Sequence, residues 1–92
     1  MLKCKLNGLK IKNLDDFHIS LSNQLHFPEY YGKNLDALWD CLVELSTCQE
    51  ISITWTNFDI SIESLGQDLF DVLKVFLEYK KVNKNFTVNL HF

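Results

Sequence analysis

Three carboxylates, Asp36, Asp40 and Glu44, recur at intervals of four residues. On a helix advancing about 100° per residue this spacing stacks them on one face. Like charges at i, i+4 each destabilise a helix by a few tenths of a kcal/mol, and no Lys lies in the segment to offset them. Asp36 has a structural reason to be there, because an acid in the first turn interacts well with the helix dipole. Asp40 has none, since both of its i±4 neighbours are acidic. A solvated face is the plain alternative, and the uncompensated repulsion is what favours a binding role. Directly upstream, Phe27-Pro28-Glu29-Tyr30-Tyr31-Gly32-Lys33-Asn34 reads as a turn ending in an N-cap. Its two adjacent tyrosines cannot point the same way, so one covers the fold and the other shows its ring or hydroxyl beside Asp36. Tyrosine is a favoured interface anchor. Trp39 falls on the flank between core and stripe, placed for packing or for the rim of a site.

Catalysis fits these residues poorly. A glycosidase needs two acids across a cleft with pKa values split by environment, which one exposed helix face does not provide. His18, His26 and His91 have no ligand spacing with the cysteines, so neither a zinc site nor any other metal or cofactor is expected. Cys41 falls on the apolar arc of its helix and Cys4 on an alternating strand, where a thiol is usually an inert small hydrophobe. No Gly-rich loop could cradle a phosphate.

The elements that must position the stripe follow from periodicity. Leu2 to Leu6, Ile51 to Trp55 and Phe86 to Phe92 alternate apolar and polar residues and predict three strands. Leu14, Phe17, Leu21 and Leu25 lie on one helical face behind an Asn13 cap, and Leu35, Leu38, Leu42 and Leu45 do so behind Asn34. A third helix is expected from about Gly66 to Lys81, with Leu69, Val72, Leu73, Phe76 and Leu77 on its buried arc. The order β-α-α-β-α-β implies crossovers, hence an α/β fold with a small three-stranded parallel sheet. Strands alternate here, whereas parallel strands covered on both faces read as continuous apolar runs. Helices are therefore expected mainly on one face, leaving Lys3, Lys5, Ser52, Thr54, Thr87 and Asn89 on the other. Asn7-Gly8 is a hairpin signal, but Leu14 onward needs the chain for a helix, so a returning strand at Leu9 to Lys12 is disfavoured.

Composition bounds the remainder. Ninety-two residues, 47% of them hydrophobic and with a single Pro, are one domain spanning 1–92. No apolar run exceeds three residues, so neither a membrane span nor a signal peptide is expected. Cys4, Cys41 and Cys48 are an odd set without a C-x-x-C pair, which predicts free thiols in a reducing compartment, the cytoplasm. Net charge is −3, with basic ends and two acidic central blocks. Without a single Arg, direct nucleic-acid binding is disfavoured, and the acidic centre points to a basic protein partner.

The run Pro28-Glu29-Tyr30-Tyr31-Gly32-Lys33-Asn34-Leu35-Asp36-Ala37-Leu38-Trp39-Asp40-Cys41-Leu42 resembles the signature of the barstar family, intracellular inhibitors of barnase-type secreted ribonucleases. Only Lys33 departs from it, replacing a Glu. Asn7-Gly8 and Val75-Phe76-Leu77-Glu78 extend the likeness over essentially the whole chain. The resemblance implies a cytoplasmic immunity protein, monomeric and forming a 1:1 complex. Its acidic helix and preceding loop would occlude the ribonuclease active site, carboxylates standing where RNA phosphates bind. It assigns partner contacts to Tyr30, Tyr31, Gly32, Asn34, Asp36, Trp39, Asp40, Val43, Glu44 and Glu78, with Tyr30 against a catalytic histidine, Asp40 as principal anchor and Glu78 in a peripheral ion pair. Val43, Glu44, Leu45 and Val82 depart from the family pattern. That leaves room for a barstar-like module directed at a different toxin domain.

Overall fold

A computed structural model describes residues 1–47 and 49–92. Cys48, one of the three expected free thiols, lies outside the described residues, whereas Cys4 and Cys41 are free and buried. Burial pushes the Cys4 thiol up to about 12, so it stays protonated as a small core hydrophobe.

The three alternating segments are strands β1 (Leu2–Asn7), β2 (Ile51–Thr56) and β3 (Phe86–Leu90). They form one parallel sheet with β2 in the centre. Cys4 pairs with Ile53 and Ile53 with Val88, so the apolar side chains share one face. Helices α1 (Leu14–Leu25) and α2 (Leu35–Ser46) connect β1 to β2, and α3 (Phe58–Leu65) and α4 (Gln67–Val82) connect β2 to β3. The core between sheet and helices is mostly Leu, Ile and Val, with a cluster of aromatic rings running through it. Trp55 stacks on Phe17 with centroids 5.5 Å apart and meets Phe58 edge-on at 5.3 Å. The opposite face carries Lys3, Lys5, Ser52, Thr54, Thr87 and Asn89, all half-buried or exposed, as strict alternation requires when only one face is covered. Among the described residues no helix is long and apolar enough to cross a membrane.

Three details depart from the sequence reading or complete it. First, the link between β2 and β3 holds two helices where one was expected. In α3 the buried residues are Phe58, Ser61 and Leu65, and the buried serine receives the Trp55 indole N–H at 2.9 Å. Secondly, α4 turns Leu69, Val72, Phe76 and Tyr79 inward. Leu77, expected on the buried arc, is 62% exposed: with Tyr79 on the arc, its centre moves away from Leu77. Thirdly, Asn7-Gly8 closes a turn without a returning strand. Gly8 N donates to Thr56 O at 2.8 Å, Lys10 N donates to Asn7 O at 2.9 Å, and the chain descends into α1.

The outer edge of β1 is closed by a side chain. Gln24 of α1 accepts from Lys5 N at 2.7 Å and donates to Lys5 O at 2.8 Å, a side-chain substitute for a neighbouring strand.

Candidate functional site

Helix α2 begins where Asn34 adopts extended backbone (φ −137°) and its Oδ1 accepts from Ala37 N at 2.8 Å. The turn before it is closed by Tyr31 N donating to Pro28 O at 2.9 Å. It reaches the cap through Lys33 in the left-handed region (φ 52°), a conformation uncommon outside glycine. The two tyrosines part as expected. Tyr31 is 8% exposed, Tyr30 81%. Tyr31 packs edge-on against Phe27 and His18, and its hydroxyl is hydrogen-bonded to His18 Nδ1 at 2.6 Å. The inner ring thereby fixes the loop that presents the outer one.

Loop and helix enclose an open recess of about 490 Å³. Pro28, Tyr30, Tyr31 and Gly32 form one wall, and Ala37, Asp40, Cys41, Val43 and Glu44 the other. Six of the ten predicted contact residues thus meet at one feature: Tyr30, Tyr31, Gly32, Asp40, Val43 and Glu44. The other four do not line it. Asn34 caps the helix and Asp36 stands exposed one turn before Asp40. Trp39 is half-buried with its ring edge-on to Tyr79 at 5.2 Å. Glu78 is exposed on α4, outside the recess.

Ala37 and Cys41 were not among the predicted contacts, yet they help wall the recess. Their small volume is the only sequence signal they carry. The Cys41 thiol is pushed up from its ordinary value by burial, then by the Glu44 and Asp40 carboxylates. It contributes space and no nucleophile. With Asp40 and Glu44 exposed on one wall, the recess can accept hydrogen bonds and take up a cation. Among the described residues no cluster of three or more His, Cys, Asp or Glu could hold a metal ion.

The far end of α2 is anchored to α4. Tyr79 donates its hydroxyl to Leu42 O at 2.9 Å, Ser46 Oγ lies 2.7 Å from the same carbonyl, and Asn83 Nδ2 donates to Ser46 Oγ at 2.6 Å. Capped at one end and tied at the other, α2 presents its acids on a fixed frame.

His18 links α1 to the site loop, a role no spacing in the sequence announced. It is buried, and its Nε2 has no partner among the described residues. Its pKa is held below the ordinary 6.5 by burial, which outweighs the raising effect of Asp15 and is assisted by Lys33. The unfolded chain takes up a proton near 6.5 that the native ring resists. This contribution to stability is complete above that pH and is lost as the pH falls below it. The melting temperature should therefore decline between about pH 7.5 and 5.5. His18→Gln should flatten the decline, since the remaining histidines, His26 and His91, are exposed. An unchanged slope in the variant would assign the effect elsewhere.

A known family and one known protein bear on this geometry. A family model described as "Barstar (barnase inhibitor)" matches residues 1–91. A protein of Bacillus subtilis (strain 168) named "Putative ribonuclease inhibitor YrdF" is 39% identical over 88 residues, which cover 92% of this chain and 92% of that protein.

Proposed function

The chain belongs to the barstar family, and from that membership we propose that it is a cytoplasmic immunity protein that binds a barnase-like secreted ribonuclease and blocks its active site. The observation that carries this reading is the recess itself, with the exposed Tyr30 on one wall and the Asp40 carboxylate on the other. An enzyme that binds RNA phosphates carries a cationic active site. Carboxylates on a preorganised helix offer that site the charge pattern of its substrate without a scissile bond. Asp40 is the principal anchor and Asp36 a flanking charge. Tyr30 lies against the catalytic histidine, and Tyr31, Gly32, Asn34 and Trp39 shape or support the contact. Val43 and Glu44 meet the rim of the enzyme, and Glu78 adds a peripheral ion pair. Each chain takes one ribonuclease, and no catalytic step is involved.

The test is titration of barnase-type ribonuclease activity on RNA, at low salt and again at about 0.5 M. Inhibition should be stoichiometric at low salt. The association rate should fall by roughly tenfold or more at high salt, because an acidic patch steers a basic partner only within the Debye length. Absence of inhibition at low salt would exclude barnase-type enzymes as the target.

A second reading rests on Val43 and Glu44, which depart from the family pattern and line the recess. They would adapt the same frame to another toxin domain. Binding to a panel of toxin domains, with Val43 and Glu44 exchanged for family-typical Thr and Gly, separates the two: the exchange should move affinity toward barnase if the departures set partner choice.

A further inference from the structure

The surface around the recess is acidic except at one position. Between Lys12 and Lys74 the chain has a single Lys or Arg, Lys33. It stands exposed between Gly32 of the recess wall and the Asn34 cap. Glu29, Asp36, Asp40 and Glu44 flank it in the chain and are exposed as well.

Nothing inside the molecule accounts for a cation there. Lys33 occupies the left-handed region at φ 52°, which Gly or Asn enters at lower cost than a long side chain. It immediately precedes the N-cap of α2, where the positive end of the helix dipole disfavours an ammonium and favours a carboxylate. Among the described residues it forms no ion pair, and attraction across water to exposed acids such as Asp36 contributes little. Its charge helps to keep His18 neutral, yet burial of the imidazole is the larger cause, so that task does not require it. On a surface that attracts a basic enzyme, a Lys also weakens the steering field.

We propose that Lys33 determines which ribonuclease is accepted: its ammonium pairs with a carboxylate on the rim of the enzyme's active site, and an enzyme with a cation at that place is rejected. This rests on the ribonuclease reading and adds to it the sign of one group on the partner. The loop suits the task. The Tyr31 hydroxyl is bonded to His18 and the Asn34 side chain to Ala37 N, so the chain is held on both sides of position 33. Asp40 and Glu44 meet the cations that bind RNA phosphates, while Lys33, just before the start of the helix, meets the opposite charge. An acidic stripe alone would fit any basic nuclease. A cation at its end adds a repulsive element against those that lack the carboxylate.

The test is titration of a panel of barnase-type ribonucleases, barnase included, with the parent and with variants at position 33. Lys33→Glu makes the inhibitor more acidic, so steering alone would give faster and tighter binding to a basic enzyme. An ion pair at Lys33 gives the reverse. For the enzyme that the parent inhibits most strongly, Lys33→Glu should raise Kd about tenfold or more, with Lys33→Gln in between. Lys3→Glu makes the same change of charge on the open face of the sheet and should not weaken binding. The melting temperature of Lys33→Glu should hold or rise, since an acid suits the start of a helix. Carbodiimide, which joins an amine to a carboxylate in direct contact, should link Lys33 to an Asp or Glu of the bound enzyme. If no enzyme of the panel is inhibited, the ribonuclease reading fails and the selective role of Lys33 fails with it. If the parent inhibits, the reading stands, and three results would each overturn the role of Lys33: binding by Lys33→Glu as tight as the parent's or tighter, a large fall in its melting temperature, or a complex without the cross-link.

Discussion

Asp40→Ala is expected to abolish ribonuclease inhibition while leaving the fold as stable as before or slightly more so. The carboxylate stands exposed on the recess wall, one helical turn from Asp36 on one side and from Glu44 on the other. Removing it deletes two like-charge contacts and no core packing, so the melting temperature should hold or rise. In the complex the same group would be desolvated opposite the cationic centre of the enzyme, and truncation would leave those cations unpaired. Central anchors of this kind cost about 4 kcal/mol or more on truncation, at least 1,000-fold in Kd, a magnitude set by measured interfaces that include this family's own complex. Isothermal titration and thermal melting of the same variant read the two effects separately. A large fall in melting temperature would make Asp40 a structural residue and remove it from the site.

Gly8→Ala is expected to do the reverse, strongly destabilising the fold without touching the recess. A Cβ at position 8 would collide with the Asn57 carbonyl oxygen and come within 2.7 Å of Ser61 Oγ. Neither obstacle yields easily. Asn57 sits in the left-handed region (φ 52°), with its side-chain amide donating to Asn7 Oδ1 at 3.0 Å. Ser61 is buried and holds the Trp55 indole N–H. Relief would require β1 to separate from the start of α3, at a cost of about 3 kcal/mol. For a domain of this size that is a fall in melting temperature of about 15 °C. Circular dichroism melting checks it, and a variant that melts within a few degrees of the parent would show that α3 is free to shift.

These two sites differ in how openly the chain declares them. Alternation within the three strands and the caps Asn13 and Asn34 are local signals, and the structure follows them because strand and helix periodicities are properties of neighbouring residues. The acidic stripe and the divided tyrosine pair are local too, which is why most of the recess was legible. Helix α3 was not. Ile60-Ser61-Ile62 alternates as a strand would, and the buried member is the serine, because the indole of Trp55, on the strand just before, needs an acceptor there, a pairing that no residue periodicity announces. Leu77 misled for a related reason: the apolar surface of α4 is wider than the arc its own core covers. The Tyr31–His18 contact joins residues thirteen apart through the tertiary fold. Gly8 announced a turn, but the crowding that demands glycine comes from the start of α3, some fifty residues later.

The twelve residues of α2 divide their labour by direction. Leu38, Leu42 and Ser46 hold the architecture, while Asp40, Val43 and Glu44 face outward into the recess. The two sets interleave along the chain but share no side chain; Cys41 alone is both buried and part of the wall. A lineage confronted with an altered nuclease can therefore explore positions 43 and 44 through steps that each leave a folded protein. On the proposed function, adaptation to a new partner would run along one side of a helix and leave the packing on the other side untouched.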